Sequence, residues 1–311
     1  MDNLESIIEI VEKERNGLVK STITWLSIYS TIGAIIYLFG MHYSSHSYLK
    51  LFGVAIFIAG AISTMSIKQG YYKGVFKELF LKSLFRHKFG ENFEYRPQDY
   101  IRSDFFLNSM LFSHKPMPDR YRGEDLIIAS VDSIRINFSE VHAQYLETQY
   151  VQGKKRQYWV DIFRGVFAIA EFPKTAKVPV VVLPNFEKVF SLPWEALKKV
   201  KLEDPEFEEI FSVWSKDQIE ARYILSISLM RRMVEFYKKA REKGFKQDIY
   251  FSFVGKYMFF AINSGDFLRV PFYLSSFKSA YNSGKYDLYV QEVELILSII
   301  EELNLKLDIW L

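Results

Sequence analysis

The chain has 311 residues, 49% of them hydrophobic, and a formal charge of only +3: enough apolar mass for a folded core, too little net charge to bind nucleic acid as a whole. It contains no cysteine, which excludes disulfides, thiolate nucleophiles and cysteine-ligated zinc or iron–sulfur centres together. With 28 Phe and 20 Tyr, the composition points to a sheet-containing core and a membrane interface rather than a base-stacking surface.

Residues 1–20 form an amphipathic segment with Leu4, Ile7, Ile8, Val11 and Leu18 on one side, lying on a membrane or extending the helix that follows. From Ser21 to Leu49 there is no charged side chain. Within that stretch Ile23 to Met41, as a helix, reaches about 28 Å, close to the hydrocarbon thickness of a bilayer. A second apolar run, Leu51 to Ile67, stops at Lys68 and is lengthened by Lys50, whose ammonium can snorkel. Residues 21–68 therefore read as a transmembrane helical hairpin. The acidic start (Asp2, Glu5, Glu9) and the second run argue against a cleaved signal. Lys13, Arg15 and Lys20 precede the hairpin and Lys68, Lys73, Lys77, Lys82, Arg86 and Lys88 follow it, whereas its linker holds only Lys50; the positive-inside rule puts both termini in the cytoplasm. The spans hold no ionisable group, so they offer no proton or ion path. Small residues at four-residue spacing (Ser30 and Ala34; Ala55, Ala59 and Ser63) are expected to pack the hairpin.

Residues 69–120 read as a basic juxtamembrane helix and a linker. Tyr72, Phe76, Leu79, Phe80 and Leu84 keep a helical period among Lys73, Lys77 and Lys82, either attracting anionic headgroups or acting only as a topology signal. Gly90 to Pro118, broken by Pro97, Pro116 and Pro118, reads as irregular. Residues 121–311 read as a cytoplasmic α+β domain, with a subdomain split near 185–203. Strands are expected at Leu126–Val131, from Ile134 past a bulge at Ser139–Glu140 to a hairpin tip at Gln152–Arg156, back through Tyr158, Val160 and Ile162, and then as Val166–Phe172 and Val178–Leu183. Together they suggest a strongly curved antiparallel sheet or small barrel packed with several helices. Ser215 and Gln218 suggest a capping box for a helix to Leu225, and a second helix runs to Lys243 and stops at Gly244. Ile249–Val254 and Tyr257–Ile262 read as a hairpin around Gly255-Lys256. Tyr289, Val293, Ile296, Ile300 and Leu303 mark an amphipathic helix, and Leu305, Leu307 and Ile309 a last strand.

Tyr121-Arg122-Gly123-Glu124-Asp125-Leu126-Ile127, Phe138-Ser139-Glu140-Val141-His142-Ala143 and Phe163-Arg164-Gly165 carry a resemblance to a family. So do Leu202-Glu203-Asp204-Pro205-Glu206-Phe207-Glu208 and the run Asp217 to Leu225. In order and spacing over about residues 95 to 311, the chain resembles an uncharacterised bacterial family, the domain of unknown function 3137. The resemblance implies a membrane-anchored protein of the bacterial inner membrane and, through gene neighbourhoods in that family, a LemA-type membrane partner. It implies no activity. Its members usually carry a proline where this chain has Ile227.

The chain has no phosphate-cradling glycine motif, no nucleophile elbow and no H-E-x-x-H, so no cofactor or metal is expected; His42 and His46 sit in the hairpin linker, a poor metal site. Glu140, His142 and Arg164 could form an acid/base pair beside a cation for hydrolysis, with Asp217 and Glu220 as further candidates. The simpler reading makes Glu124-Asp125 and Asp217-Gln218-x-Glu220 capping and dipole chemistry, paired with the nearby Arg residues. The leading expectation is a membrane-tethered interaction or scaffold domain with a protein partner, its oligomeric state open. The alternatives are a membrane-proximal enzyme of hydrolytic type and an anionic-lipid sensor.

Overall fold

The structure, a computed structural model, describes residues 4–42, 47–131, 133–185, 197–242 and 248–303. Among these residues the chain begins with α1 (Leu4–His42), α2 (Ser47–Val75), a π-helical turn (Phe76–Leu81) and α3 (Lys82–Phe89). It continues through β1 (Phe93–Arg96), α4 (Ser103–Asn108), β2 (Arg120–Val131), β3 (Ile134–Val151), β4 (Lys154–Pro184) and β5 (Lys198–Val200). Then come α5 (Pro205–Ile210), β6 (Phe211–Ser215), α6 (Gln218–Ile224), α7 (Ile227–Glu242), β7 (Ile249–Ile262), α8 (Phe277–Asn282) and α9 (Asp287–Glu302). The chain divides into two compact units, Met1–Lys88 with Arg269–Leu288, and Phe89–Leu268 with Tyr289–Leu311.

The first unit is helical. The amphipathic N-terminal segment extends the first apolar run, and α1 is one helix of 39 residues. Two helices, Leu4–His42 and Tyr48–Phe89, are long and apolar enough to cross a membrane. They meet through glycine: a Cβ on Gly33 would lie 2.8 Å from the Gly53 carbonyl oxygen, and one on Gly53 would lie 2.6 Å from that of Gly33. Backbones this close leave no room for a side chain, and dispersion between helices gains from the approach. Ala55, Ala59 and Ser63, expected at the hairpin contact, are exposed instead. Below this crossing Tyr72, Phe76 and Phe80 are fully buried, with Phe80 edge-on to Phe277 at 4.9 Å and against Tyr286 at 5.1 Å. Residues 269–288 come from far along the chain and are tied down by polar groups. Gln69 donates from Nε2 to Pro271 O at 3.2 Å and accepts from Tyr273 N at 3.0 Å. The Tyr273 hydroxyl bonds Thr22 at 2.9 Å, and buried Arg15 donates to the Tyr273 carbonyl at 3.3 Å.

The second unit is an antiparallel sheet with helices. The strand order is β1-β2-β3-β4-β6-β5, with β7 paired to β4, and the sheet does not close into the small barrel that the strand pattern suggested. Its length comes from β4, which runs as one strand of 31 residues where three were expected, the hairpin return through Tyr158, Val160 and Ile162, Val166–Phe172 and Val178–Leu183. Lys154–Ala170 pairs with β3, Val166–Val182 with β7, and Val180–Pro184 with β6. β7 is likewise one strand rather than a hairpin: both halves pair with β4 in the same direction, and the register shifts, with extra residues on β4, on either side of the pair Ala176–Gly255, where Gly255 has φ +60°.

The burial phase of β3 does slip at Ser139–Glu140, yet β3 itself pairs without a break with β4 from Ile136 to Ala143. The bulge sits in its neighbour β2, between Glu124 and Ile127. Both faces of β3 are covered at this point. Ser139 accepts from the Ile101 N–H at 3.1 Å, and Glu140 accepts from the Phe267 N–H at 2.8 Å.

Residues 90–118, expected to be an irregular connection, supply β1 and α4. They also supply Ile101, Phe106, Leu111 and Phe112 to a core with Val141, Phe163, Phe167 and Phe259. Around Phe211, Tyr237 of α7 and Phe251 of β7 pack edge-on at 5.8 and 6.1 Å. α9 is joined to α7 by Lys239 with Glu302 and by Arg232 with the Leu303 carbonyl. The N-cap of α6 is Asp217 rather than Ser215, whose hydroxyl donates to Pro179 O at 2.9 Å. Ser226 caps α7, so Ile227 occupies the first helical position, where a proline fits equally well. The linker residues 43–46, Gly244 and the last strand expected at Leu305, Leu307 and Ile309 lie outside the described residues.

Candidate functional site

Cross-strand register assembles a polar row on one face of the sheet. Arg122 lies opposite His142, Glu124 opposite Glu140, and His142 opposite Arg164. Residues directly opposed across a ladder share a face, so Glu140 and His142 lie together as their i, i+2 spacing suggested, and the β3–β4 register brings Arg164 to the same face. Asp217 and Glu220 do not join them. Asp217 caps α6 by accepting from Ile219 N at 2.8 Å, and Glu220 accepts from Lys177 N at 2.8 Å.

Within the row each partner can be assigned. Arg122 Nη2 lies 3.0 Å from His142 Nδ1, and His142 Nε2 lies 2.7 Å from Asp161 Oδ1. A guanidinium can only donate, so Nδ1 accepts and the ring proton sits on Nε2, aimed at Asp161. Burial acts to raise the Asp161 carboxyl, but hydrogen bonds from His142 and Gln144 outweigh it and hold the group below its usual range. Asp161 reaches the row because β3 and β4 shift register between Ala143 and Gln144. Arg164 forms an ion pair with Asp266.

Beside these pairs lies a cluster of one sign. Glu124, Asp125 and Glu140 each offer a carboxylate oxygen within 4.8 Å of the other two. Asp125 occupies the β2 bulge at φ +62°, is fully buried, and accepts from the Tyr95 hydroxyl at 2.6 Å. Burial pushes the Glu140 carboxyl up to about 7, against the pull of the Phe267 N–H and with help from Glu124, Asp125 and Asp266. Three oxygens so placed could share a divalent cation, and a carboxyl near 7 could exchange a proton at neutral pH. Two motif glycines make room for this row. A Cβ on Gly123 would lie 2.3 Å from Glu140 O, and one on Gly165 would lie 2.1 Å from Ile262 O.

Sequence reasoning placed Glu140, His142 and Arg164 but missed Asp161, Asp266 and Tyr95 as their partners. Asp161 depends on a bulge, and Asp266 and Tyr95 are remote in the chain. Nothing local marks Glu124 and Asp125 as neighbours of Glu140, because only the pairing of β2 with β3 brings them there.

A different feature stands at the far end of the same two strands. β2 accompanies β3 only to Gln144, and β7 joins β4 only from Val166, so residues 145–160 continue as a two-stranded ribbon. Its turn is Gln152-Gly153, both at positive φ (52° and 74°), the geometry that suits a two-residue hairpin loop. Tyr150 is 74% exposed and Trp159 40%, Tyr158 is exposed, and the Arg120 guanidinium stacks 3.9 Å over the Trp159 ring.

Residues 161–305 match the model of a family described as protein of unknown function (DUF3137). The resemblance read from the motifs therefore holds there, including Phe163-Arg164-Gly165 and the run Asp217 to Leu225, while the earlier motifs precede the matched stretch. No curated protein matches the chain. A solved structure, that of the mycobacterial trehalose monomycolate transport factor A, TtfA, matches with a TM-score of 0.34 and 11% identity over 71% of this chain and 93% of that one.

Proposed function

We propose that this is a membrane-tethered interaction protein of the bacterial inner membrane. Its two apolar helices cross the bilayer with both termini in the cytoplasm, and its sheet unit binds a protein partner through the β3–β4 ribbon. The observation that carries this reading is the exposed aromatic surface of the ribbon. A lone two-stranded ribbon is marginal in water, yet this one extends Tyr150, Tyr158 and Trp159 past the sheet, and Tyr, Trp and Arg are the residue types that anchor interfaces. The tip, Lys154-Lys155-Arg156, favours an acidic partner surface. A LemA-type membrane protein, implied by the family resemblance, is the first candidate.

The test is a photoreactive phenylalanine at Tyr150 or Tyr158 in intact membranes, with exposed Ile219 as control. The expected result is one protein adduct specific to the ribbon positions and lost in Trp159→Ala or Arg156→Glu. Adducts to lipid alone, or the same adducts from Ile219, would refute it.

One observation favours a second reading, a hydrolytic enzyme acting near the bilayer: the Glu140 carboxyl, near 7, lies beside the His142–Asp161 pair. Esterase and phosphatase substrates assayed against the wild type and Glu140→Gln would decide it. Activity at background level, or unchanged in the variant, removes this reading.

A further inference from the structure

On the face of the sheet opposite Glu140 and His142 lies a cleft of about 300 Å³, between the strands and the Tyr100–Phe105 segment. Side chains three apart on an unbroken strand point to opposite faces, so Asn137 turns towards this cleft while Glu140 turns away. The Asn137 backbone is paired in register with Ile128 and Ile169, but its side-chain Oδ1 is buried and has no hydrogen-bond partner among the described residues. A buried acceptor left unpaired costs free energy, and native folds seldom retain one without a use.

The lining mixes apolar, cationic and anionic side chains. Leu126 and Ile169 line the cleft, together with Tyr100 and Tyr257. Arg102 and Arg135 supply two guanidinium groups, and Glu171 supplies one carboxylate. Arg102 also keeps an ion pair with Asp104 at 3.0 Å.

We propose that this cleft binds a small zwitterion with an apolar body, that is, the chemistry of a free amino acid with a large hydrophobic side chain. Its carboxylate lies against the Arg135 and Arg102 guanidiniums. Its ammonium donates to Asn137 Oδ1 and Glu171, and its side chain covers Leu126 and Ile169. A simple anion would leave Glu171 and Asn137 Oδ1 without a donor, and a simple amine would leave the Arg135 guanidinium without a carboxylate. This binding site is independent of the ribbon and of the polar row.

The test is calorimetric titration of the full chain in lipid nanodiscs with L-phenylalanine and L-tryptophan, alongside phenethylamine, which lacks the carboxylate, and N-acetyl-phenylalanine, which lacks the ammonium. The amino acids are expected to bind saturably and each analogue at least about tenfold more weakly, the loss of one charge-assisted contact. Arg135→Ala and Asn137→Leu should each weaken binding by at least about tenfold. Asn137→Leu should also raise the melting temperature of the unliganded protein, because it removes a buried orphan acceptor; that gain separates lost binding from lost folding. The proposal is overturned by no saturable heat at millimolar amino acid, by equal binding of either analogue, or by binding that survives both replacements.

Discussion

Replacing Glu140 with Gln should stabilise this protein at alkaline pH and erase part of its pH dependence. The carboxyl is buried, accepts the Phe267 N–H at 2.8 Å, and faces Glu124, Asp125 and Asp266. It holds its proton up to about 7 in the folded chain, against 4.5 ordinarily. Between those values the folded state binds more protons than the unfolded one, so stability falls as pH rises and the penalty is complete above about 7. At about 1.4 kcal/mol per pH unit the ceiling is about 3.4 kcal/mol, and partial solvation of the site brings the expected effect to about 2 kcal/mol. The assay is urea unfolding of the full chain in detergent, followed by tryptophan fluorescence from about pH 5 to about pH 9. Glu292, also raised by burial, adds slope to both proteins, so the difference between them is the quantity to read. The variant should be more stable by about 2 kcal/mol at about pH 8 and should lose that advantage at about pH 5. If the two profiles run parallel, the account of Glu140 as a carboxylate kept protonated by burial and like charge is wrong.

Gly165→Val would place a side chain 2.1 Å from Ile262 O where β4 meets β7, and should cost more than about 3 kcal/mol, visible as loss of protease resistance in the sheet unit. Gly33→Leu forces α1 away from the Gly53 carbonyl and should lower the melting temperature of the helical unit, by about 1–3 kcal/mol of lost packing, with the sheet signal unchanged. Asp217→Ala removes the α6 cap and should cost about 1 kcal/mol in urea unfolding, whereas Asp217→Asn should cost much less. Tyr273→Phe deletes the hydroxyl shared with Thr22 and should cost about 1 kcal/mol in the same assay.

Where a feature depends on neighbours in the chain, the sequence was enough to read it. The two apolar runs, the Gln152-Gly153 turn, the amphipathic α9 and the i, i+2 spacing of Glu140 and His142 are local patterns, and each lies where the pattern put it. Reading failed where a local signal had two outcomes. Gly255-Lys256 is hairpin chemistry in a free peptide, but both halves of β7 pair with β4 in the same direction, and the register shifts on either side of the Ala176–Gly255 pair. Pro97 and Pro116 bracket a stretch with little periodicity, so nothing local revealed that Ile101, Phe106, Leu111 and Phe112 complete the core.

By itself, then, the amino-acid order determined two bilayer-length apolar helices, an antiparallel α+β unit after them, and the face that Glu140 and His142 share. Tertiary structure decided the rest: the open sheet, the bulge that brings Asp125 beside Glu140, the Gly33–Gly53 crossing and the return of residues 269–288 to the helical unit. The reason is physical. Periodicity records which side of an element avoids water, whereas register, bulges and close approaches depend on which distant backbone donors and acceptors find each other, and a chain carries no local mark of its remote partner.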